Sequence, residues 1–587
     1  MLCYVCLICM LLIRLLWIQT LTVIKGDVEG NLAHGSVEQR RESIVLDQGR
    51  GRIVDRNGMR LAGEEIRSLL IIPRMPQWNN PALMKQIAEI INIEQSILAV
   101  QVQRADKPFL AYSINQKTPI ALSIEQMEQL QHMQSSAFRV VPYIQRYKDT
   151  PIAAHVIGYL AQNPWLMNKN YSKQLQQGIW QENGLIGVAG IERSFDQLLQ
   201  GITSTQYIHF IDGKSDAIAG LTDGLITSDN PFYPLELQAT LDGTLQSATE
   251  AMLDNIPMRE GAVVVLDAKN SDVIVMASRP NYNPNSVLPE LGNWRNRAVS
   301  AAIPGSIFKT VVLATALEDG VVKPKQKFYC SGRWDRYHLR CWAREGHGVL
   351  TLEQAYAQSC NVIIAQIAAK LKPGRLEEVA QSLGVLDRIG WSTDLLKYPS
   401  GSIQSFRQLD GEQEGQVFDS GTPRTDPGVL AQTGIGQRDV RLSPLQAANM
   451  VVTLLNDGEL KQPRIVTEIR HHNNRSMIQF PAHLITKPPG KGKISPATAR
   501  WLTHAMKLTV QSGTASSLMK TPVEVAGKTG TAETDLSEAN KVNQWFIGYT
   551  PTHNPKYAFA VMVSNRNADE SHEALTITDQ LLRLLDE

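Results

Sequence analysis

The fold of this chain is constrained most by the distance along the sequence between its strand-forming segments. Gly261–Asp267 and Asp272–Ala277 are apolar, β-branched runs flanking the short turn Ala268–Ser271, a hairpin pattern. Asn543–Tyr549 and Tyr557–Val563 read as two more strands near the other end, with a final helix expected over 575–586. A strand over Leu237–Leu241 and a helix over Gln246–Asn255 precede the first pair. Strands at both ends with helices between them predict a mixed sheet, assembled from remote sequence and layered with helices. This is an α+β arrangement.

At 587 residues the chain is too long for one core, so two or more domains are expected. The first 24 residues are apolar apart from Arg14, just long enough for one bilayer crossing. With no small-residue cleavage site behind it, 1–24 reads as an uncleaved transmembrane anchor. Arg14, Lys25, Arg40 and Arg41 follow or lie within this segment and no basic side chain precedes it. The positive-inside rule would then hold the bulk of the chain in the cytosol, unless a basic stretch precedes Met1. Cys3, Cys6 and Cys9 read as small membrane-buried hydrophobes. Residues 25–49 form a polar spacer, 50–230 a second region and 235–587 a third. Arg50–Gly58 opens the second region as strand, turn and strand, with Asn57-Gly58 at the turn. Gly187 and Gly190 mark a tight turn before a helix, and His155 reads as a hydrogen-bonded structural histidine. Lys+Arg 58 against Asp+Glu 57 gives no sign of a nucleic-acid partner.

Three short stretches of the third region carry chemistry: Ser306-Ile307-Phe308-Lys309, Ser359-Cys360-Asn361 and Lys528-Thr529-Gly530. Pro304-Gly305 precedes Ser306 and a helical pattern follows it, so the serine falls at a helix N-terminus with Lys309 on the same face. A serine hydroxyl needs an adjacent base, which a desolvated lysine can supply. Ser359 would relay a proton and Asn361 would hold a substrate amide or Lys309. On a cleft-lining strand, Lys528 would attract a substrate carboxylate and Thr529 add a hydroxyl. Gly530 would keep the wall low, and the N–H groups of Ser306 and Thr531 would form an oxyanion hole. Each motif is common alone; in this order they mark serine acyl-transferases that react with penicillin.

On these motifs the chain resembles the class B penicillin-binding proteins over nearly its whole length. Asn296-Arg297-Ala298, Gly434-Ile435-Gly436-Gln437, Ser443-Pro444-Leu445-Gln446 and the Arg50–Gly58 stretch extend the resemblance. It implies an elongated pedestal domain over 50–230 and an antiparallel sheet sandwiched by helices over 235–587. The implied activity is that of a D,D-transpeptidase. Ser306 would attack the penultimate D-alanine carbonyl of a peptidoglycan stem peptide and release D-alanine. The acyl group would pass to an amine of a neighbouring stem, and β-lactams would acylate the same serine. The catalytic domain would be extracytoplasmic on a single-pass anchor in the cytoplasmic membrane, with a polytopic glycan polymerase of the rod or division system as partner. No segment over 26–230 resembles the glycosyltransferase module of class A relatives.

Cys330, Cys341, His347 and Cys360 follow one another as C-x10-C-x5-H-x12-C, the last inside the second motif. A Cys330–Cys341 disulfide is one reading, with Cys360 left as a free thiol. The favoured reading is a closed, structural Cys3His zinc site, which some rod-system class B enzymes resemble. His338 is a spare histidine nearby. Acyl transfer itself needs no cofactor. Two rival functions share the serine chemistry: a D,D-carboxypeptidase or β-lactamase passing the acyl group to water, and a non-enzymatic β-lactam sensor or scaffold.

Overall fold

The computed structural model describes residues 2–24, 40–113, 118–177, 180, 182–202, 204–211, 223–227, 230–256, 258–399, 401–485, 493–534 and 540–586. Most of the expected spacer, 25–39, lies outside the described residues. Helix α1, Leu2–Ile24, covers the apolar N-terminal segment, and its described side chains from Tyr4 to Leu16 are all exposed. Among the described residues no helix is long and apolar enough to cross a membrane.

The rest forms two compact units that do not follow chain order. One comprises 1–50, 63–149 and 201–234; the other comprises 51–62, 150–200 and 235–587. The expected division was continuous, with a boundary between 230 and 235. The physical reason for the difference is strand pairing. Arg52–Val54 and Arg60–Ala62 form the expected hairpin, with Asp55 Oδ1 accepting from the N–H groups of Asn57 and Met59 at 2.8 and 2.7 Å. Arg52–Val54 also pairs in parallel with Glu236–Ala239, which pairs antiparallel with Val466–Arg470. The hairpin is therefore an edge of a five-stranded sheet belonging to the larger unit.

In the smaller unit, Glu64–Ile71 pairs antiparallel with Phe138–Gln145 over eight residues. Helices Pro81–Ile90, Gln95–Arg104 and Ile124–His132 give Ile87, Leu98 and Leu130 to its core. A second sheet joins Arg41–Asp47, Thr205–Phe210 and Gly224–Ile226.

The larger unit also holds the antiparallel sheet that carries the third sequence motif. Its strands are β1 (Gly261–Asp267), β2 (Val273–Arg279), β3 (Ala526–Glu533), β4 (Lys541–Thr550) and β5 (Tyr557–Asn567), in spatial order β2-β1-β5-β4-β3. The remote segments do converge: β1 from the front of the unit pairs with β5 from its end, Val264 opposite Ala560. Val263, Val265, Phe546, Phe559 and Val561 on one face pack against α2 (Gly243–Asp254) and the C-terminal helix, through Leu253, Ile577 and Leu581. Helices α3 (Lys309–Glu318), α4 (Asn361–Ala368), α5 (Pro427–Gly434), α6 (Pro444–Leu455) and α7 (Pro496–Ser512) follow, and α8 (Glu573–Leu584) closes the chain. The central strands are buried on both faces, which explains their near-continuous apolar runs. α6 starts at a capping box, Ser443 with Gln446, and packs on β1 and β5. Edge strand β3 has α7 beside it and the Ser306 turn against it.

His155 is buried between ring and carbonyl neighbours, its Nε2 2.9 Å from the Asn293 carbonyl oxygen and its ring 5.0 Å from Tyr282. Burial lowers its pKa to about 4, so the imidazole is neutral, as expected of a structural histidine. Phe546, fully buried under α8, gives a direct test of this layering. Phe546→Ala should cost about 3–5 kcal/mol and visibly lower the melting temperature of the larger unit, measured by calorimetry.

Candidate active site

Ser306 lies in a single 3-10 turn, Gly305–Phe308, which runs directly into α3. The turn is clamped from two sides. Gly305 has φ +56°, and a Cβ on it would lie 2.2 Å from the Thr531 carbonyl oxygen of β3. Its N–H donates to the Gly436 carbonyl at 3.0 Å. Gly436 also has positive φ, and a Cβ there would lie 1.9 Å from the Gly305 carbonyl oxygen. Trp545 Nε1 donates to the Ile303 carbonyl at 2.9 Å, tying the same loop to β4. Only glycine allows backbones to approach so closely at positive φ.

Lys309 is fully buried at the start of α3. Its Nζ donates to Ser359 O at 2.8 Å, Ser359 Oγ at 3.2 Å and Asn361 Oδ1 at 2.6 Å. Three acceptors match the three protons of an ammonium. Burial lowers its pKa to about 8, against an opposing pull from the Cys360 and Cys341 sulfurs. The first two sequence motifs thus meet as spacing alone could not show.

Ser359 has φ +53°, the left-handed region that a residue with a Cβ rarely enters. The helix Leu352–Ala357 ends just before it, and the Ser359 and Cys360 N–H groups donate to Tyr356 O and Ala355 O. Cys360 then caps α4 and Asn361 is its first residue. The reversal between two helices presents the Ser359 hydroxyl and the Asn361 amide to the same lysine.

On β3 the side chains alternate. Thr529, Thr531 and Glu533 line the cleft; Lys528 and Gly530 face the other way. Lys528 is fully buried, donates to Thr529 O at 3.0 Å and sits 5.6 Å from the Tyr356 ring centre. Burial, with repulsion from Lys309 second, pushes its pKa well down. Its amine therefore lies behind the strand in surroundings that disfavour its charge, whereas the sequence suggested direct attraction of a carboxylate. Gly530 also differs from the low wall expected of it. A Cβ there would lie 2.7 Å from the Pro304 carbonyl oxygen and 3.0 Å from Ile307 Cγ2, so glycine lets the Ser306 turn seat against β3.

These walls enclose a cleft of about 890 Å³ lined by Ser306, Ser359, Asn361, Thr529 and Thr531. Several of its residues carry no motif. Thr514 Oγ1 lies 2.6 Å from Thr529 Oγ1 and orients that hydroxyl. Arg340, Trp342, Gln437 and His572 also line it. His572 has its ring nitrogens buried, and burial lowers its pKa to about 4, so it is neutral. Gln437 belongs to the Gly434–Gln437 stretch of the family resemblance; no sequence signal marked the others, because distant segments brought together by the fold place them at the cleft.

Cys330, Cys341, His347 and Cys360 converge, with all four ligand atoms within 4.8 Å of one another. All three cysteines are free thiols. Cys341 Sγ lies 3.9 Å from Cys360 Sγ and 3.5 Å from His347 Nδ1. A hydrogen bond from Cys360, then the main-chain N–H groups of Asn361 and Val362 opening α4, favour the Cys341 thiolate and lower its pKa. His338, the spare histidine, is exposed and is not part of the cluster.

Comparison with known proteins agrees with this geometry. A family model described as the penicillin binding protein transpeptidase domain matches residues 261–583, and one described as the penicillin-binding protein dimerisation domain matches 46–216. Stage V sporulation protein D of Bacillus subtilis is 27% identical over 541 residues, covering 89% of this chain and 75% of that protein. The peptidoglycan D,D-transpeptidase MrdA of Acinetobacter baumannii is 24% identical over 559 residues, covering 89% and 78%. Among solved structures, one described as structural coordination of polymerization and crosslinking by a peptidoglycan synthase complex aligns with a TM-score of 0.67 at 22% identity. It covers 99% of this chain and 97% of that one. The complex between penicillin-binding protein PBP2 and MreC from Helicobacter pylori aligns at 0.60 and 20% identity, covering 93% and 99%. With a nucleophile turn clamped beside a buried lysine, and both domains matched, the chain belongs to the class B penicillin-binding proteins and is an enzyme of the serine transpeptidase type.

Proposed function

We propose that the chain is a peptidoglycan D,D-transpeptidase that cross-links stem peptides. The observation that carries this reading is the buried Lys309, bonded to both polar residues of the Ser359–Asn361 turn and one helical turn from Ser306. Ser306 Oγ attacks the carbonyl carbon of the penultimate D-alanine, its proton passing to neutral Lys309 and, through Ser359, to the departing D-alanine amine. The amine of a second stem peptide then attacks the ester carbonyl, and Ser306 leaves as the hydroxyl. Thr529 and Thr531 hold the donor along β3, with Lys528 packed behind the strand. Main-chain N–H groups of Ser306 and Thr531 stabilise the oxyanion. A strained β-lactam amide enters the same path and stops at the acyl-enzyme.

The relatives' names support the peptidoglycan substrate, and the similar chain from a peptidoglycan synthase complex that coordinates polymerization and crosslinking supports partnership with a glycan polymerase. The apolar, fully exposed described face of α1 supports a single-pass anchor over 1–24. It would hold the catalytic unit outside the cytoplasmic membrane.

The same reading assigns a structural zinc ion to Cys330, Cys341, His347 and Cys360. A tetrahedral ion with Zn–S of about 2.3 Å and Zn–N of about 2.0 Å sets sulfurs about 3.8 Å apart and sulfur and nitrogen about 3.5 Å apart. The Cys341–Cys360 and Cys341–His347 separations of 3.9 and 3.5 Å fit. Such an ion would pin the turn carrying Ser359 and Asn361.

Ser306→Ala should abolish covalent labelling by a fluorescent penicillin while leaving the melting temperature nearly unchanged; labelling of the variant would refute the assignment. Because the base must be the neutral amine, acylation should rise with pH through about 8 and level off above it. Lys309→Ala should lose that titration and about two to four orders of magnitude in acylation rate. Elemental analysis of purified protein should find zinc, and chelation should lower the melting temperature with release of the three thiols to a thiol reagent. A preparation free of zinc with one reactive thiol outside the N-terminal segment would indicate the Cys330–Cys341 disulfide instead.

A further inference from the structure

The segment carrying the cysteine cluster has a second property that neither the fold nor the acylation chemistry requires. Between Lys323 and His347 it holds seven Lys and Arg against two Asp and Glu, in a chain whose overall charge is +1. All seven basic residues are exposed. Among the described residues, only Arg333 of the four arginines is in an ion pair, with Asp335 at 3.5 Å. Among the described residues Arg340, Arg336 and Arg344 form no ion pair, and the Arg336 guanidinium lies 5.2 Å from the Tyr337 ring centre. Trp342 is 58% exposed and Tyr329 66% exposed, so the same lobe also presents apolar rings to solvent.

This basic lobe is continuous with the active site. Arg340 and Trp342 line the cleft beside Ser306, Ser359 and Asn361. The Arg340 carbonyl accepts from Asn361 Nδ2 at 3.2 Å, and Trp342 Nε1 donates to the Gln358 carbonyl at 2.9 Å. Both residues are thus held by main-chain and side-chain bonds on either side of Ser359, on the wall that carries the proton relay. The other wall, β3, offers hydroxyls and an edge backbone, the surface suited to an extended peptide donor.

We propose that Arg340, Arg344 and Trp342 form the docking surface for the acceptor stem peptide, the guanidinium groups taking its free carboxylates while Trp342 packs on its apolar atoms. This rests on the transpeptidase reading above. The chemistry of the acceptor is what the lobe fits. It must bring an uncharged amine to the acyl-enzyme on the Ser359 side, and the rest of the peptide is anionic. Planar guanidinium forks bind carboxylates in two-pronged fashion, and a positive rim raises the local concentration of an anionic reactant. A basic rim also disfavours a protonated acceptor amine at the reaction centre, which keeps the nucleophile in its reactive form.

The test uses the full chain acylated by a thioester donor. Two acceptors are supplied: a synthetic stem tetrapeptide with free carboxylates, and the same peptide with its carboxylates amidated. Wild type should prefer the free-carboxylate acceptor in kcat/KM. Arg340→Ala combined with Arg344→Ala should reduce that preference about tenfold, through KM, as loss of one or two partly exposed charge pairs implies. Arg340→Lys should retain most of it, and Arg340→Glu should reverse it. A preference unchanged in the Ala and Glu variants overturns the proposal. So does loss of acylation by fluorescent penicillin in Arg340→Ala, since the side chain would then serve the donor or the fold. If wild type is labelled at Ser306 yet transfers to neither acceptor, the transpeptidase reading fails instead.

Discussion

The active site depends on one buried cation. Lys309 has no solvent, and the acceptors around it come from the Ser359 carbonyl, the Ser359 hydroxyl and the Asn361 amide. An ammonium taken from water into a protein interior is costly unless every proton is met. The turn between the helix Leu352–Ala357 and α4 meets them, and it does so only because Ser359 adopts a left-handed conformation. The lysine and the turn therefore fix each other: neither geometry is stable alone, and together they place a base of lowered pKa next to the serine.

The turn has its own support. Cys360 belongs both to the second motif and to the cysteine–histidine cluster, and the Asn361 side-chain amide donates to the main-chain carbonyl of Arg340 in the same lobe. A disturbance of the lobe therefore reaches the proton relay through two covalent neighbours and one hydrogen bond. The lobe is therefore the outer support of the catalytic residues, and its exposed basic side chains reach the cleft at Arg340. The nucleophile is held from the opposite direction, where glycines at 305, 436 and 530 let three backbone segments pack without side chains between them.

The sequence made much of this legible. Apolar β-branched runs at 261–267 and 557–563 identified strands, and their separation required a sheet closed between remote segments. The hairpin at Asn57-Gly58 followed from turn chemistry, and the structural role of His155 from the rule that buried polar groups are hydrogen-bonded. Other features were illegible for physical reasons. A compact-unit boundary depends on which strands pair, and the parallel pairing of Arg52–Val54 with Glu236–Ala239 leaves no local trace. The side of β3 on which Lys528 lies follows from the strand's register against β4, which the Lys-Thr-Gly triplet does not specify. Thr514, Arg340 and Trp342 reach the cleft from segments whose own patterns say nothing of it.

By itself, the sequence determined the chemical inventory: a serine with a lysine three residues on, a Ser-x-Asn turn, a Lys-Thr-Gly strand and four metal-type ligands. Residue identity sets reactivity, and spacing within a few residues sets local geometry. Only the tertiary structure decided what these groups do for one another. It put Lys309 on Ser359 and Asn361, turned Lys528 behind the strand, made Gly530 a seat for the nucleophile turn and brought a basic lobe to the cleft. Those decisions lie in packing and strand register between distant segments, where burial and close backbone approach override anything a short motif can encode.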